Sequence, residues 1–223
     1  MKKYPKIQFP VLQCGRFAHN PSWGVWRAIT FCLMHLVMHP YATHLGGKEC
    51  KLLELSSPPR PMHCAGEREW GLYYAIDANV GDPDVPSISS VVGMLAGGTI
   101  DSNASRQHHK NGESHTSEVV AAGTGLAFLT TTRGITHEAH VAQVVPTPAY
   151  FDSSTTIFVA NDDAAPKRAL WLRRRVAVLR EGVEHGEFSP VKVDEADNIA
   201  DVHTKYLAYP QWVRHIRWIS NLT

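Results

Sequence analysis

The chain has 223 residues, 43% of them hydrophobic, enough to bury one fair-sized core or two modest ones. A net charge of +1 excludes a global field drawing it onto nucleic acid or membrane, so any such preference must come from a local patch. The four cysteines, Cys14, Cys32, Cys50 and Cys64, form no C-x-x-C pair and follow no secretory signal. Reduced thiols in a soluble intracellular protein, cytoplasmic or nuclear, are therefore expected rather than a disulfide framework.

In chain order, "PSWGVWRAITFCLMHLVMH" places Trp23, Trp26, Ile29, Leu33, Leu36 and Val37 at helical steps, with Ser22 as N-cap. Its apolar stretch "FCLMHLVM" is far short of the ~20 residues that span a bilayer and is broken by His35. "HLGGKE" supplies a glycine stop, and the proline-rich Leu55–Glu69 reads as a linker. Beyond it, "WGLYYAI" predicts a strand, and "ISSVVGML" followed by "GGTIDS" predicts a hairpin closed at Gly97 and Gly98. "TSEVVAAGTGLAFLTTT" predicts a helix despite two internal glycines, each costing about 1 kcal/mol relative to alanine. "PAYFD" is a short buried strand. "KRALWLRRRVAVLREGVEHG" is a long helix with Leu170, Val176, Leu179 and Val183 inward and a stop at Gly186. "EFSPVKV" is a strand that Pro190 pushes to a sheet edge. "DNIADVHTKYL" and "YPQWVRHIRWISNL" close the chain as helices. The order describes an α/β domain with a mixed sheet.

Four acids occupy suggestive places. Asp77 opens the stretch "DANVGDPD" behind the first strand; counted as a calcium loop from Asp77, it puts Asp82 at position six and Ile88 at position twelve, so that motif fails. Glu118 falls in the first turn of an apolar helix, Asp152 ends "PAYFD", and Asp201 follows Ala200 on an inward helix face. Singly, each reads as a turn residue, a dipole partner or a solvated acid. Together they are what a hard-cation site needs, because clustered carboxylates repel and stay protonated unless cations neutralise them. "HEAH" (His137, Glu138, His140) has the wrong spacing for a zinc helix, and the His108–His109 pair has no matching cysteines. Lys167, Arg168, Arg173, Arg174, Arg175 and Arg180 form either a solvated basic face or a backbone-contacting patch.

The motif order "DANVGDPD", "SISSVVGMLAGGTIDSNASRQ", "SHTSEVVAA", "PAYFDSSTTIFVAND", "LREGVEHGEF" and "NIADVHTKYL" resembles the RNase H domain of copia-type retrotransposon polyproteins. The opening "YPKIQFPVLQCGRFAHNPSWGVWRAITFCLMHLV" resembles the tail of the preceding reverse transcriptase, so the likeness covers nearly the whole chain. It departs where Ser153 replaces an asparagine, where "VPS" (Val85–Ser87) replaces an arginine pair, and where "LWLRRRVA" replaces a histidine-bearing stretch. Aligned without a gap, Ile76 rather than Asp77 falls on the first catalytic position.

The resemblance implies an RNase H-like fold: a mixed five-stranded sheet flanked by helices at residues 70–208, after a helical reverse-transcriptase remnant (1–55) and a linker (56–69), and before a terminal helix (209–223). It implies hydrolysis of the RNA strand of an RNA–DNA hybrid by two Mg²⁺ ions, with Mn²⁺ as substitute, held by Asp77, Glu118, Asp152 and Asp201, Asp77 bridging both. Arg106, Lys167 and Arg168 are the expected backbone contacts. The partners implied are the hybrid and an upstream polymerase, with no membrane. The palm's aspartate pair is absent, so DNA synthesis is not expected. The alternative is a decayed or domesticated copy that binds nucleic acid without cutting it; a zinc- or calcium-binding structural protein is a third.

Overall fold

The computed structural model describes residues 22–38, 71–80, 86–95, 98–108, 114–140, 143–161 and 170–219. The expected glycine stop, the linker and the start of the helical reverse-transcriptase-like remnant lie outside them. The first helix, α1 (Trp23–Met38), begins where the sequence places its cap: the Val25 amide donates to Ser22 Oγ at 3.4 Å. Its tryptophans do not form a core face, since Trp23 is 84% and Trp26 53% exposed.

Five strands form one mixed sheet in the order β3-β2-β1-β4-β5. They are β1 (Leu72–Asn79), β2 (Ile88–Leu95), β3 (Gly98–Arg106), β4 (Thr147–Phe151) and β5 (Phe188–Lys192). The first three pair antiparallel, whereas β4 runs parallel to both β1 and β5. Leu95 pairs with Gly98, so Gly98 belongs to the strand rather than to the turn where it was expected. Pro190 does lie on an edge strand, where a missing N–H breaks no ladder.

The central strand is apolar on both faces and buried on both. Leu72, Tyr74, Ile76 and Ala78 share one core with α2 (Ser114–Glu138), through Val119, Ala122, Leu126 and Leu129, and with α4 (Leu170–Glu184), through Leu172, Val176 and Leu179. Tyr73 and Ala75 face the opposite layer, built by Ile199, Ala200 and Val202 and by Ile216 and Ile219 of α5 (Tyr209–Ile219). That last helix therefore packs on the sheet itself. Arg214 anchors it further through a 2.8 Å ion pair to Asp197. Gly186 ends the α4 segment with φ 67°, a left-handed conformation that glycine adopts without a Cβ penalty.

Two elements differ from expectation. A short helix, α3 (Ser154–Asn161), was not anticipated; Ser153 caps it, accepting from the Thr156 amide at 3.2 Å. "DNIADVHTKYL" is not an α-helix: it starts on the last residue of one 3₁₀ turn, Glu195–Asp197, and holds a second, Ile199–His203. Asn198 separates them with an extended backbone, and its side chain accepts from the Ala200 amide at 3.2 Å, a local bond that competes with continued helix.

Candidate metal centre

The parallel pairing of β1 with β4 positions the first two acids. Tyr74 lies opposite Ala149 and Ala75 opposite Tyr150, so continuing that register brings Asp77 level with Asp152 at the carboxyl ends of both strands. Glu118 arrives from α2. It is the fifth residue of that helix, beyond the first turn where it was expected, and it is buried rather than solvated. Ligand oxygens of Asp77, Glu118 and Asp152 all lie within 4.8 Å of one another. Ile76, the ungapped alternative, sits in the opposite core beneath α2. Asp82 lies outside the described residues.

Asp201, on the second 3₁₀ turn, is not part of that triad but is joined to it by a lysine. Lys205 Nζ stands 3.1 Å from Asp201 Oδ1, 3.4 Å from Asp152 Oδ2 and 3.7 Å from Asp77 Oδ1. Several bonds pin this turn to the sheet. Thr204 Oγ1 donates to Asp77 Oδ2, Asn79 Nδ2 donates to the Thr204 carbonyl at 2.7 Å, and Asn198 Nδ2 donates to the Ile76 carbonyl at 3.1 Å. The buried His203 ring lies between two strand serines, Nδ1 at 3.1 Å from Ser90 Oγ and Nε2 at 3.4 Å from Ser102 Oγ.

Burial pushes Asp77, Glu118 and Asp201 upward. Asp77 rises to about 6, mainly through desolvation, with Lys205 opposing and Asp152 adding to the shift. Glu118 rises to about 9 through burial and then the negative charges of Asp77 and Asp152. Asp201 rises to about 8 through burial and the charge of Asp77. Burial alone would depress Lys205, but Asp77, Asp201 and Asp152 hold it above the usual lysine range. Fully ionised, the four carboxylates would carry more negative charge than one lysine neutralises.

The donor set fits a hard divalent cation. It consists of carboxylate oxygens alone, the type that suits Mg²⁺ or Mn²⁺. Asp77 Oδ1 and Glu118 Oε2 are buried and make no hydrogen bond, an arrangement that is costly unless a cation completes it.

The nucleic-acid contacts expected from sequence are only partly placed. Lys167 and Arg168 lie outside the described residues. Arg106 ends β3 and lines a cavity of about 220 Å³ with His108, Arg175 and Gln107. Gln107 Nε2 donates to the Ser117 carbonyl at 2.9 Å, which ties this strand end to the helix turn bearing Glu118. "HEAH" is an exposed cluster at the end of α2. The sequence reading assigned no role to Thr204 or Lys205, although both stand in the quoted "ADVHTK"; their juxtaposition with Asp201 was the available signal.

No protein-family model matches the chain, and no curated protein matches it in sequence. Among solved structures it is similar to LC11-RNase H1 isolated from compost, with TM-score 0.46, 14% identity, and coverage of 59% of this chain and 90% of that one. It is also similar to the N-terminal RNase H domain of a Mycobacterium tuberculosis protein (TM-score 0.44, 13% identity, 66% and 97% covered). A third similar structure is RNase H1 from the halophilic archaeon Halobacterium salinarum (TM-score 0.44, 15% identity, 59% and 89% covered). These likenesses are distant.

Proposed function

We propose that this chain is a metal-dependent ribonuclease that cuts the RNA strand of RNA–DNA hybrids, derived from a copia-type retrotransposon polyprotein. The observation carrying the reading is that Asp77, Glu118 and Asp152, from two strand ends and a helix, bring carboxylate oxygens within 4.8 Å of one another. The order of six motifs along the chain supports the polyprotein origin. Asp77, Glu118 and Asp152, with Asp201, would hold a pair of Mg²⁺ or Mn²⁺ ions. Bound there, the ions supply a polarised scissile phosphate, a water of lowered pKa and charge neutralisation at the leaving 3′ oxygen.

The chain's own residues set the geometry. Thr204 fixes one oxygen of Asp77 and leaves Oδ1 directed at the cluster. Lys192 Nζ donates to the Asp152 carbonyl and steadies the strand end that presents its carboxylate. Arg106 stands on a strand end tied to the Glu118 helix, and with Lys167 and Arg168 it would contact the nucleic-acid backbone. Recognition is then of helix shape and 2′-hydroxyls rather than of bases.

Asp152 is the variant of choice because it is the least buried of the triad. Asp152→Asn should abolish Mg²⁺-dependent cleavage of an end-labelled hybrid while the circular dichroism spectrum stays unchanged. Cleavage at the parent rate would overturn the site assignment. Hybrid binding by the parent without any cleavage would identify a catalytically silent copy.

A further inference from the structure

We propose that Lys205 is a built-in counter-ion that holds the carboxylate cluster together without metal and sets its affinity for divalent cations by competition. The proposal rests on reading the cluster as a metal centre. One ammonium reaches Asp201, Asp152 and Asp77 at 3.1, 3.4 and 3.7 Å, the last contacting the same Asp77 Oδ1 that makes no hydrogen bond. It thus stands against the oxygens a cation would need. The cluster is not fully satisfied: Glu118 Oε2 is also buried without a hydrogen bond. A dication satisfies such a cluster better than a monovalent ammonium, because the attraction scales with charge.

Lys205 also has a way out. Its side chain is 29% exposed, and a four-carbon stem lets the head swing without moving backbone. Glu195, 78% exposed, lies 3.6 Å from the same Nζ on the outer side. It offers an ion-pair partner outside the cluster when a divalent cation enters. Lys205 thereby gives up buried partners and keeps the exposed one it already has.

Two variants test this by calorimetric Mn²⁺ titration at pH 8 and by thermal unfolding in chelator. Lys205→Met, which keeps the stem, should melt at a lower temperature than the parent without metal. It should also bind Mn²⁺ about tenfold more tightly, because a positive charge beside the ion is gone. Glu195→Gln removes the exposed outer partner at a solvent position, so it folds whether or not the methionine variant does. It should weaken Mn²⁺ binding by about threefold, a shift of the size surface ion pairs produce. Unchanged Mn²⁺ affinity in Glu195→Gln, or unchanged or weaker affinity in a folded Lys205→Met, overturns the proposal while leaving the metal centre intact. Absence of Mn²⁺ binding by the parent overturns the metal-centre reading, and this proposal with it.

Discussion

His215 is wholly buried on α5, and neither of its ring nitrogens makes a hydrogen bond. Burial, and then the neighbouring Arg214 charge, push its pKa down to about 4. A depressed histidine binds fewer protons folded than unfolded between pH ~4 and ~6.5, so stability rises with pH across that window and is lost as pH falls through it. The size of the effect is up to about 3 kcal/mol. Replacing His215 by leucine should flatten this part of the stability profile relative to the parent, measured as the urea midpoint from pH 4 to 7. Parallel profiles for the two proteins would rule the account out. Nothing in "WVRHIRW" marks that histidine, since burial is set by what α5 packs against, the Ile199–His203 turn among it, and not by the local stretch. Asp77 is the opposite case. A carboxylate following "LYYAI" is conspicuous in sequence, and only its choice over Ile76 needed the alternation of side chains along β1.

Among the elements, α2 best shows why local propensity misleads. Its internal glycines read as a penalty, yet they differ in what they do. A β-carbon at Gly123 would meet only Arg175 Nη1 at 3.6 Å, an ordinary contact. One at Gly125 would overlap Ile76 Cδ1 and lie 2.7 Å from Ile76 Cγ1. Gly125 is thus where the helix presses onto β1, and that approach carries Glu118 towards Asp77. Gly125→Ala should destabilise the protein by about 1–3 kcal/mol through overpacking, despite alanine's better helix propensity. Adding Ile76→Val should recover part of the loss in chemical denaturation, because the nearest clashing methyl is removed; a stabilising Gly125→Ala would refute the contact. The five strands and the helices α1, α2, α4 and α5 were legible from sequence pattern. The 3₁₀ turns and α3 were not, because side-chain bonds from Asn198 and Ser153 decide them.

At the scale of the whole molecule, the carboxylates come from β1, α2, the end of β4 and a late 3₁₀ turn, so they meet only when the sheet, its helix layer and its terminal segment are all in place. A cation binding there binds the folded state alone. Mg²⁺ should therefore raise the melting temperature: at roughly 100-fold its Kd the gain is about 2.7 kcal/mol, several degrees for a chain of this size. A thermal scan with no shift at millimolar Mg²⁺ would indicate an incomplete site. Among the described residues no helix is long and apolar enough to cross a membrane. By itself the sequence determined the α/β class, the edge position of Pro190 and four acids worth watching, because strand and helix periods and backbone-restricted residues act locally. Their convergence, and the lysine held among three of them, were decided only by tertiary structure. A carboxylate's meaning depends on what other charges share its low-dielectric surroundings, and those neighbours come from distant parts of the chain.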